Sequence, residues 1–398
     1  MRFPCAIVVV FGCALAAGCG ASQQPAPSAH TVATRHGSAC AKPASLPAGI
    51  SVAPWRLGSV LFASASSGAA VTSSQIPCVI GPGGLVGQQQ LVRLAATDDG
   101  GRHWLTEGSA LPVPAQHESD YQVAAVSGPD TWIFSRSADR LIETRDGGAT
   151  WTRERLPQPV LAVASAGGWL WALSCPGSSQ LECVPVVERM KLPAGSWTRT
   201  RSLTSVPVLN PQLSLVSGDE AVISLRTAKA SMLASTTDGG AHWSVRPAPT
   251  YPGFTCLTES GLFTTAGSDW WQLCSGGSPS MQGANTALLR SDNAGRTWTV
   301  VAVSIVGRSA SPGALPVQAQ SGIAAYSASR LFIGSDNQLY VSADGGKFWS
   351  MATVNPDGAT GQFDVLPGRA TWLLGPGAGL WQTTNGKNWH ALGPLGPS

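Results

Sequence analysis

The sequence predicts an all-β fold, a seven-bladed β-propeller of four-stranded antiparallel blades. A tryptophan recurs seven times, and by subtraction the intervals are 47, 46, 46, 55, 51 and 40 residues, which suits one blade per repeat. A short Asp-Gly turn precedes most of these tryptophans, and short apolar runs separated by turn residues fill the intervals. The recurring residues are Trp104, Trp151, Trp197, Trp243, Trp298, Trp349 and Trp389.

The first predicted element is an export signal, residues 1–18. Arg2 precedes an apolar run from Cys5 to Ala17, which suits a secretory h-region and is shorter than the roughly 20 residues of a membrane span. The run ends in Leu-Ala-Ala-Gly before Cys19, which resembles the lipobox of bacterial lipoproteins, although alanine occupies the usual leucine position. The resemblance implies lipidation of Cys19 and anchoring on the outer side of the cytoplasmic membrane. An ordinary cleaved signal peptide is the alternative.

Residues 19–39 are predicted to be a flexible tether. They are rich in Ser, Ala, Gln, Pro and Thr and have almost no large apolar side chains, so they cannot bury enough surface to fold. The tether would hold the propeller, residues 40–398, away from the membrane.

The second repeat shows one predicted blade in full. Four short strands lie between Tyr121 and Leu156, and turn residues separate them. Its second strand carries Trp132, which we align with one residue in each of five other blades, namely Trp169, Val222, Trp270, Phe332 and Trp372. These positions are predicted to be core. A ligand cage formed by Trp270 and Trp271 is the alternative.

The Asp-Gly turns share the pattern Ser/Thr-x-Asp-x-Gly-x-x-Trp. Four copies match it in full, a fifth has asparagine for aspartate, a sixth is one residue short, and around Trp197 only Gly195 and the tryptophan remain. We expect the side-chain oxygen at the third position to accept backbone N–H groups of its own turn, and the tryptophan to pack between neighbouring sheets. The third-position residues are Asp99, Asp146, Asp238, Asn293, Asp344 and Asn385.

This motif resembles the Asp box, or BNR repeat, of the sialidase-like β-propellers. The resemblance covers roughly residues 50–392 and implies the fold, because in that family the motif is a structural turn remote from the active centre. Sialidases of this family use three arginines, a tyrosine nucleophile with a glutamate beside it, and an aspartate acid. Their Arg-Ile-Pro motif is absent from this sequence.

The predicted innermost strands carry little charge. They are residues 122–125, 160–164, 208–215, 254–258, 322–326 and 362–366, and Asp364 is the one charged residue among them. Arg56 and Arg308 are the nearest arginines, both predicted to lie in loops. Glu118 and Asp120 form the one close acidic pair that enters an inner strand. No catalytic residue is therefore predicted.

The cysteine count agrees with export. Without the signal peptide and the lipidated Cys19, six of nine cysteines remain, and an even number in an exported chain predicts disulfides. Blade geometry favours three local pairs among the fifteen possible pairings. A zinc site is the rival interpretation, although the chain has no CxxC pair or histidine cluster. The predicted pairs are Cys40–Cys78, Cys175–Cys183 and Cys256–Cys274.

The charge is small and evenly spread. Only 12% of the residues are charged, the formal net charge is +3, and the basic residues form no run or stripe. This composition argues against a nucleic-acid partner. The sequence also predicts no cofactor and no metal.

The longest insertions are expected on one face of the propeller. Asp-Gly turns and first-to-second-strand turns share one face, so second-to-third-strand links and inter-blade links share the other. The predicted insertions, Ser64–Gln90, Cys175–Cys183, Cys274–Thr286 and Ile305–Ser321, fall on the second face, where loops on a rigid scaffold often bind ligands. The candidate binding residues are His117, Glu118, Asp120, Tyr251 and Arg308, with ordinary solvated loop residues as the alternative.

These observations predict a membrane-anchored, non-catalytic binding or scaffolding module. The resembling propellers also include photosystem II assembly factors, which bind protein partners, so the resemblance implies a protein ligand at the loop-rich face. An exo-sialidase-like glycoside hydrolase, or a carbohydrate-binding protein, acting on surface glycans is the alternative. A structural propeller within an envelope assembly is a third possibility that the sequence does not separate from the first.

Overall fold

A computed structural model gives the fold of most of the predicted propeller. The predicted signal segment and tether, with Cys19 and Cys40, lie outside the residues that it describes. Within the described residues, no helix has the length and hydropathy needed to cross a membrane. The described residues are 56–80, 85–107, 109–112, 120–157, 159–176, 182–205, 207–227, 230–252, 254–256, 263–276, 285–305, 314–316, 322–335, 338–352, 362–366, 369–374 and 379–392.

The strands form seven antiparallel sheets, which confirms the seven-bladed propeller. Blades 1 to 4 consist of β1 Arg56–Phe62, β2 Gly68–Ile80, β3 Leu85–Thr97 and β4 Leu105–Glu107; β5 Tyr121–Ser127, β6 Asp130–Ser135, β7 Arg140–Thr144 and β8 Thr152–Arg153; β9 Val160–Ala166, β10 Trp169–Ser174, β11 Val186–Lys191 and β12 Thr198–Arg199; β13 Leu209–Leu215, β14 Ala221–Arg226, β15 Ser231–Thr236 and β16 Ser244–Pro247.

Blade 5 has five strands, because two short segments, β17 and β18, both pair with β19 at the inner position. Blades 5 to 7 consist of β17 Phe254–Thr255, β18 Phe263–Ala266, β19 Asp269–Gly276, β20 Asn285–Ser291 and β21 Thr299–Ser304; β22 Ile323–Ala325, β23 Leu331–Ser335, β24 Gln338–Ser342 and β25 Ser350–Met351; β26 Gln362–Leu366, β27 Ala370–Leu374, β28 Leu380–Thr383 and β29 His390–Leu392.

The first strand of each blade lies at the inner edge of its sheet. β26 of blade 7 lies against β1 of blade 1, so the first and last blades are neighbours and the ring is closed. The predicted innermost strands of blades 2, 3, 4, 6 and 7 overlap β5, β9, β13, β22 and β26. In blade 5, β17 covers residues 254 and 255 of the predicted 254–258 and shares the inner position with β18. One prediction is wrong: Arg56 is not in a loop but is the first residue of β1.

The hydrophobic core consists of layers between neighbouring blades. Every recurring tryptophan packs in a cluster that contains apolar residues of the preceding blade, which confirms the prediction that these side chains lie between sheets. Trp104 of blade 1, for example, shares a cluster with Trp372 of blade 7. The tryptophans therefore hold blades to each other.

The register of the second strands corrects part of the predicted alignment. Trp132 pairs with the residue just before the Asp-Gly turn, and so does Trp271 in blade 5. Trp270 was therefore aligned one residue out of register, which in a strand changes the face on which the side chain lies. Blade 3 lacks the motif that anchors the alignment, and Trp171 rather than Trp169 is the fully buried aromatic of its second strand.

The structure confirms the prediction that Trp270 and Trp271 are core residues and contradicts the alternative, a ligand cage. Trp270 is 5% exposed and Trp271 is fully buried, and each packs in a cluster between two blades. Both tryptophans are core residues.

Two of the three predicted disulfides are present. Cys175 is bonded to Cys183 and Cys256 to Cys274. The second pair differs slightly from expectation, because Cys256 directly follows the short strand β17 instead of lying within a strand. The pairing of Cys40 with Cys78 stays a prediction, since neither side chain is among those described.

Candidate functional site

The Asp-Gly turns are closed by their own side chains. In blade 4, Thr236 Oγ1 donates to Asp238 Oδ1 at 2.8 Å and accepts from the Gly240 N–H at 2.9 Å. Asp238 Oδ1 also accepts from the His242 N–H at 2.9 Å, and His242 Nδ1 lies 2.6 Å from Asp238 Oδ2. The hydrogen bonds from the backbone and side chain of His242 hold the pKa of Asp238 well below its usual range.

The other copies use the same bonds with small changes. In blade 2, the Thr150 hydroxyl donates to Asp146 Oδ2 at 2.6 Å, and bonds from Thr150 lower the pKa of Asp146 to about 2. In blade 5, Asn293 Oδ1 accepts from the Thr297 N–H at 2.9 Å. In blade 7, Asn385 Oδ1 accepts from the Asn388 N–H at 2.9 Å. These carboxylates and amides serve their own turns, as predicted.

The Asp-Gly turns also form hydrogen bonds with the turn between the first and second strands of their own blade, and with the previous blade. The Gly345 N–H donates to the Ser329 carbonyl of the first turn of blade 6 at 2.8 Å, which confirms that the two kinds of turn share a face. Trp372 Nε1 donates to the Gly100 carbonyl of the next blade at 3.3 Å, and Trp271 Nε1 donates to the Gly345 carbonyl at 3.4 Å. We call this side of the ring the Asp-Gly face.

Two arginines add further contacts that the sequence reasoning missed: Arg189 joins blades 3 and 4, whereas Arg290 contacts residues of its own blade 5. Arg189 lies over the Trp169 ring at 4.2 Å and bonds Asp219 of blade 4 at 2.7 Å. Arg290 lies 5.5 Å from the Trp271 ring and bonds Asp269 at 2.6 Å. The signal that could have revealed these contacts was an arginine placed opposite a tryptophan on the neighbouring strand. The described part of the Asp-Gly face is thus built from structural contacts.

The opposite face carries a long hairpin. β2 and β3 pair along all 13 of their residues, from Gly68–Thr97 to Ile80–Leu85, and β1, which is described from Arg56 onward, pairs with β2 as far as Ser73. Beyond the described part of β1, residues 74–80 and 85–91 continue as a paired ribbon. At about 3.3 Å per residue, the ribbon is roughly 20 Å long. We call it the blade 1 arm.

The arm corrects the prediction that Ser64–Gln90 is a loop insertion on the opposite face. Ser64 and Ser67 belong to the turn between β1 and β2, which bonds to Gly100 of the Asp-Gly turn and so lies on the Asp-Gly face. Most of the remaining segment is strand. The Gly-Pro-Gly-Gly sequence at residues 81–84, between two partly apolar runs, was the sequence signal for a hairpin.

Parts of the other three predicted insertions are held in place by strand pairing, by a disulfide or by packing between blades. β19 and β20 extend into Cys274–Thr286, where Gly276 pairs with Asn285. The ends of Cys175–Cys183 are joined by their disulfide, and Cys183 bridges Val208 at the start of blade 4. Within Ile305–Ser321, Leu315 is 1% exposed and packs between blades 5 and 6.

The structure does not bring the predicted binding residues together. His117, Glu118 and Arg308 lie outside the described residues. Asp120 precedes β5 of blade 2, and its carbonyl oxygen accepts from the Arg136 N–H at 2.7 Å. Tyr251 precedes β17 of blade 5, where its ring packs edge-on against Phe254 at 4.9 Å beside the Cys256–Cys274 disulfide. Asp120 and Tyr251 therefore belong to blades on different sides of the ring.

The described side chains of the inner strands, which do not include those of Arg56 and Asp364, are uncharged, and two of them bond to the backbone of a neighbouring blade. Ser59 Oγ of β1 accepts from the Val123 N–H of β5 at 3.1 Å. Gln122 Nε2 donates to the Val163 carbonyl of β9 at 3.4 Å. Nor do the described residues contain three histidine, cysteine or acidic side chains grouped as metal ligands. The polar groups found on these strands fasten neighbouring blades to each other.

Comparison with known proteins relates the chain to other propellers. No protein-family model and no curated protein matches it. A structure of YCF48 bound to D1 peptide is 17% identical, with a TM-score of 0.50 over 84% of this chain and 98% of that chain. YCF48 from Cyanidioschyzon merolae is 15% identical, with a TM-score of 0.47 over 84% and 100% of the chains. A PL25 ulvan lyase is 11% identical, with a TM-score of 0.47 over 86% and 94%. The likeness to peptide-bound YCF48 shows a shared fold.

Proposed function

We propose that this protein is a non-catalytic binding module that holds a protein partner on the face opposite the Asp-Gly turns. The blade 1 arm carries the proposal, because its paired strands of 13 residues are the longest among the described strands. They form a two-stranded ribbon on this face, and an extended segment of another chain can pair with the edge of such a ribbon. The YCF48 structure with D1 peptide supports it, since a propeller of this fold there binds a peptide.

We also propose that the chain is exported and anchored by lipid at Cys19, on the outer side of the cytoplasmic membrane. The lipobox-like sequence before Cys19 supports the anchor. The two disulfides support an oxidising compartment, because disulfides are rare in the cytosol. Palmitate should label the wild type in cells but not Cys19→Ala, and equal labelling of both would contradict the anchor.

The Asp-Gly turns are proposed to be Asp boxes, which would place the chain among the sialidase-like propellers. The shared Ser/Thr, Asp and Gly hydrogen bonds of blades 1, 2, 4 and 6 support this assignment.

A pull-down from the native envelope tests the binding proposal. In the test variant, residues 76–89 are replaced by Asn-Gly, a two-residue turn that joins the paired Gln75 and Gln90. This change removes Cys78, so the matched control is Cys40→Ala/Cys78→Ala with the arm intact. A partner that the wild type and the control retain, and that the shortened protein loses, would support the arm as the binding element.

Two results would count against this proposal. A partner retained by the shortened protein would move the site away from the arm. Recovery of glycan fragments without any protein would instead favour the glycoside hydrolase or carbohydrate-binding alternative.

A further inference from the structure

The chain that leads from Cys19 joins the propeller on the same face as the blade 1 arm. β1 ends at Phe62, next to a turn on the Asp-Gly face, so its first described residue, Arg56, lies toward the opposite face. Arg56 pairs with Ser73, and the blade 1 arm begins at the next residue of β2. By subtraction, 36 residues, 20–55, join Cys19 to this point of the propeller.

A segment of this length is long enough for the blade 1 arm to reach the membrane that would hold Cys19. A random coil of 36 residues has an end-to-end distance of roughly 30–36 Å, and the blade 1 arm is roughly 20 Å long. Because both start from one face, contact does not require the propeller to turn over. The predicted Cys40–Cys78 disulfide would bring the two closer still, since it would join the tether directly to the blade 1 arm.

The blade 1 arm becomes apolar toward its end. Residues 74–91 contain no acidic, basic or histidine residue. Four glutamines lie in the three pairs that residues 75–77 form with residues 88–90. The last two described pairs, Val79–Val86 and Ile80–Leu85, consist of aliphatic residues alone. We call these two pairs the arm tip.

A lipid bilayer suits such a tip better than water does. At about 3.3 Å per residue, the two pairs span roughly 7 Å, and interfacial apolar segments enter the boundary between headgroups and acyl chains to a depth of about 5–10 Å. Four aliphatic residues alone would bind a bilayer weakly. The lipid anchor would keep the bilayer within reach at a high effective concentration, so a weak apolar contact is sufficient.

We propose that the arm tip enters the headgroup region of the membrane that carries the anchor, and so turns the opposite face of the propeller toward that membrane. The contact is apolar rather than electrostatic, since the blade 1 arm offers no cation to anionic headgroups. It rests on the proposed function, because it needs the lipid anchor at Cys19. The proposed protein partner would pair with the edge of the ribbon and not with the arm tip, so partner binding and membrane contact can fail separately.

Photocrosslinking of the full-length lipidated protein in phosphatidylcholine vesicles tests the membrane contact. A benzophenone amino acid replaces Val86 in the arm tip. In the matched control it replaces Phe348, which is 53% exposed on the Asp-Gly face. Mass spectrometry is expected to find acyl-chain adducts at position 86 and only background at position 348. Flotation of the vesicles measures the anchor separately.

Ile80→Asp/Leu85→Asp gives a second measurement. Two carboxylates in the arm tip should lower the lipid labelling from position 86 about tenfold or more, because a charged side chain enters an apolar environment at a high cost. Phe348→Asp should leave that labelling unchanged. Both variants should still float with the vesicles, and the tip variant should still retain a protein partner in the pull-down.

Three results would overturn the membrane contact. Protein that floats with the vesicles but gives no acyl-chain adduct at position 86 would remove the contact and leave the anchor in place. Protein that does not float would remove the anchor, and the contact with it. Equal labelling from positions 86 and 348 would show that the crosslinks are nonspecific. In the native envelope, protein adducts at position 86 in place of lipid adducts would assign the arm tip to a protein partner instead.

Discussion

At the scale of single residues, a charged carboxylate and a neutral amide build the same turn. Asp238 and Asn293 both accept the backbone N–H four residues on, at 2.9 Å in each case. A hydroxyl two residues earlier donates to each of them. The geometry of the turn therefore depends on an acceptor oxygen, while the charge of the aspartate adds a dependence on pH.

We expect acid to weaken the aspartate turns but not the asparagine turns. Hydrogen bonds from His242 lower the pKa of Asp238 in the folded protein, so the stability it contributes is fully present above its unfolded pKa, about 4. That contribution is lost as the pH falls further. Asp238→Asn should therefore lower the melting temperature at pH 7, and its difference from the wild type should shrink as the pH falls below 4, as thermal denaturation at several pH values would measure.

The same measurement on Asp238→Ala provides the contrast. This variant should lose more stability at pH 7 than Asp238→Asn, because the His242 N–H also loses its acceptor. Equal acid sensitivity in the wild type and Asp238→Asn would contradict the assignment.

The pKa of Glu143 is shifted in the opposite direction, upward. This residue is 5% exposed, and Glu154 lies beside it with its oxygens accepting the indole N–H groups of Trp132 at 3.3 Å and Trp197 at 3.0 Å. Burial raises the pKa of Glu143 and the neighbouring Glu154 adds to the rise, while Arg145 at 2.6 Å lowers it less. The carboxyl group of Asp130 also lies near Glu143 and Arg145. The charged form of Glu143 is therefore disfavoured in the folded protein.

We expect Glu143→Gln to stabilise the protein at neutral pH. A carboxyl group with a raised folded pKa costs stability only above its unfolded pKa of 4.5, and the amide removes that cost while still accepting from Arg145. The melting temperature of the variant should exceed that of the wild type at pH 7 and approach it near pH 4. A variant less stable at pH 7 would show that the charged pair with Arg145 dominates.

At the scale of elements, the tryptophans differ in how their indole groups are bonded. Trp349 is 3% exposed, and its Nε1 donates to the Gly346 carbonyl at 2.8 Å. Trp243 packs between blades 3 and 4, but its Nε1 has no hydrogen-bond partner among the described residues. The same repeat position thus combines packing with an extra hydrogen bond in only some blades.

Trp349→Phe should therefore cost about 1 kcal/mol more stability than Trp243→Phe, because it also leaves a buried carbonyl unbonded. Trp349→Ala should cost about 3–5 kcal/mol, mainly through the cavity left between blades 5 and 6. Urea unfolding of the variants measures these losses. Equal losses for the two phenylalanine variants would mean that the Gly346 bond contributes nothing net.

The sequence predicted the blades well because the tryptophan and the Asp-Gly turn have fixed spacing. It failed in blade 3, where that anchor is missing and Trp169 was aligned in place of Trp171, and in blade 5, where Trp270 was aligned in place of the adjacent Trp271. In the arm, Pro77 and Gly87 are poor strand formers, so the strand there depends on hairpin pairing rather than on propensity. The candidate site was harder to predict, because whether Asp120 and Tyr251 come together depends on where their separate blades lie in the ring.

At the scale of the whole molecule, the ring closes without exchange of strands. Blades 1 and 7 are each complete from their own segment of chain. Their junction is held by Phe62, which stacks on Trp372 at 3.8 Å with an angle of 5° between the rings, and by the bond from Trp372 to the Gly100 carbonyl. Among the described residues, side-chain packing and this hydrogen bond, rather than a shared strand, therefore resist opening of the ring.

Trp372→Ala is expected to open the ring at this junction. Hydrogen–deuterium exchange should increase most in β1–β4 and β26–β29, because those blades lose their shared core. Trp171→Ala is the control, since Trp171 is also fully buried and donates to the Gly218 carbonyl of blade 4 at 3.1 Å. If both variants gave the same exchange pattern, the blade 7–blade 1 junction would not be a distinct point of opening.

The absence of strand exchange among the described sheets has a consequence for how such a chain can be rearranged. No described blade needs a segment from elsewhere in the sequence, so the blade at which translation begins can change as long as each blade keeps its two neighbours. Arg56 and Leu392 already belong to adjacent blades, and a linker between them could make the polypeptide circular. New termini placed in any inter-blade link would then leave all seven sheets whole, and entire repeats could be duplicated or deleted as units.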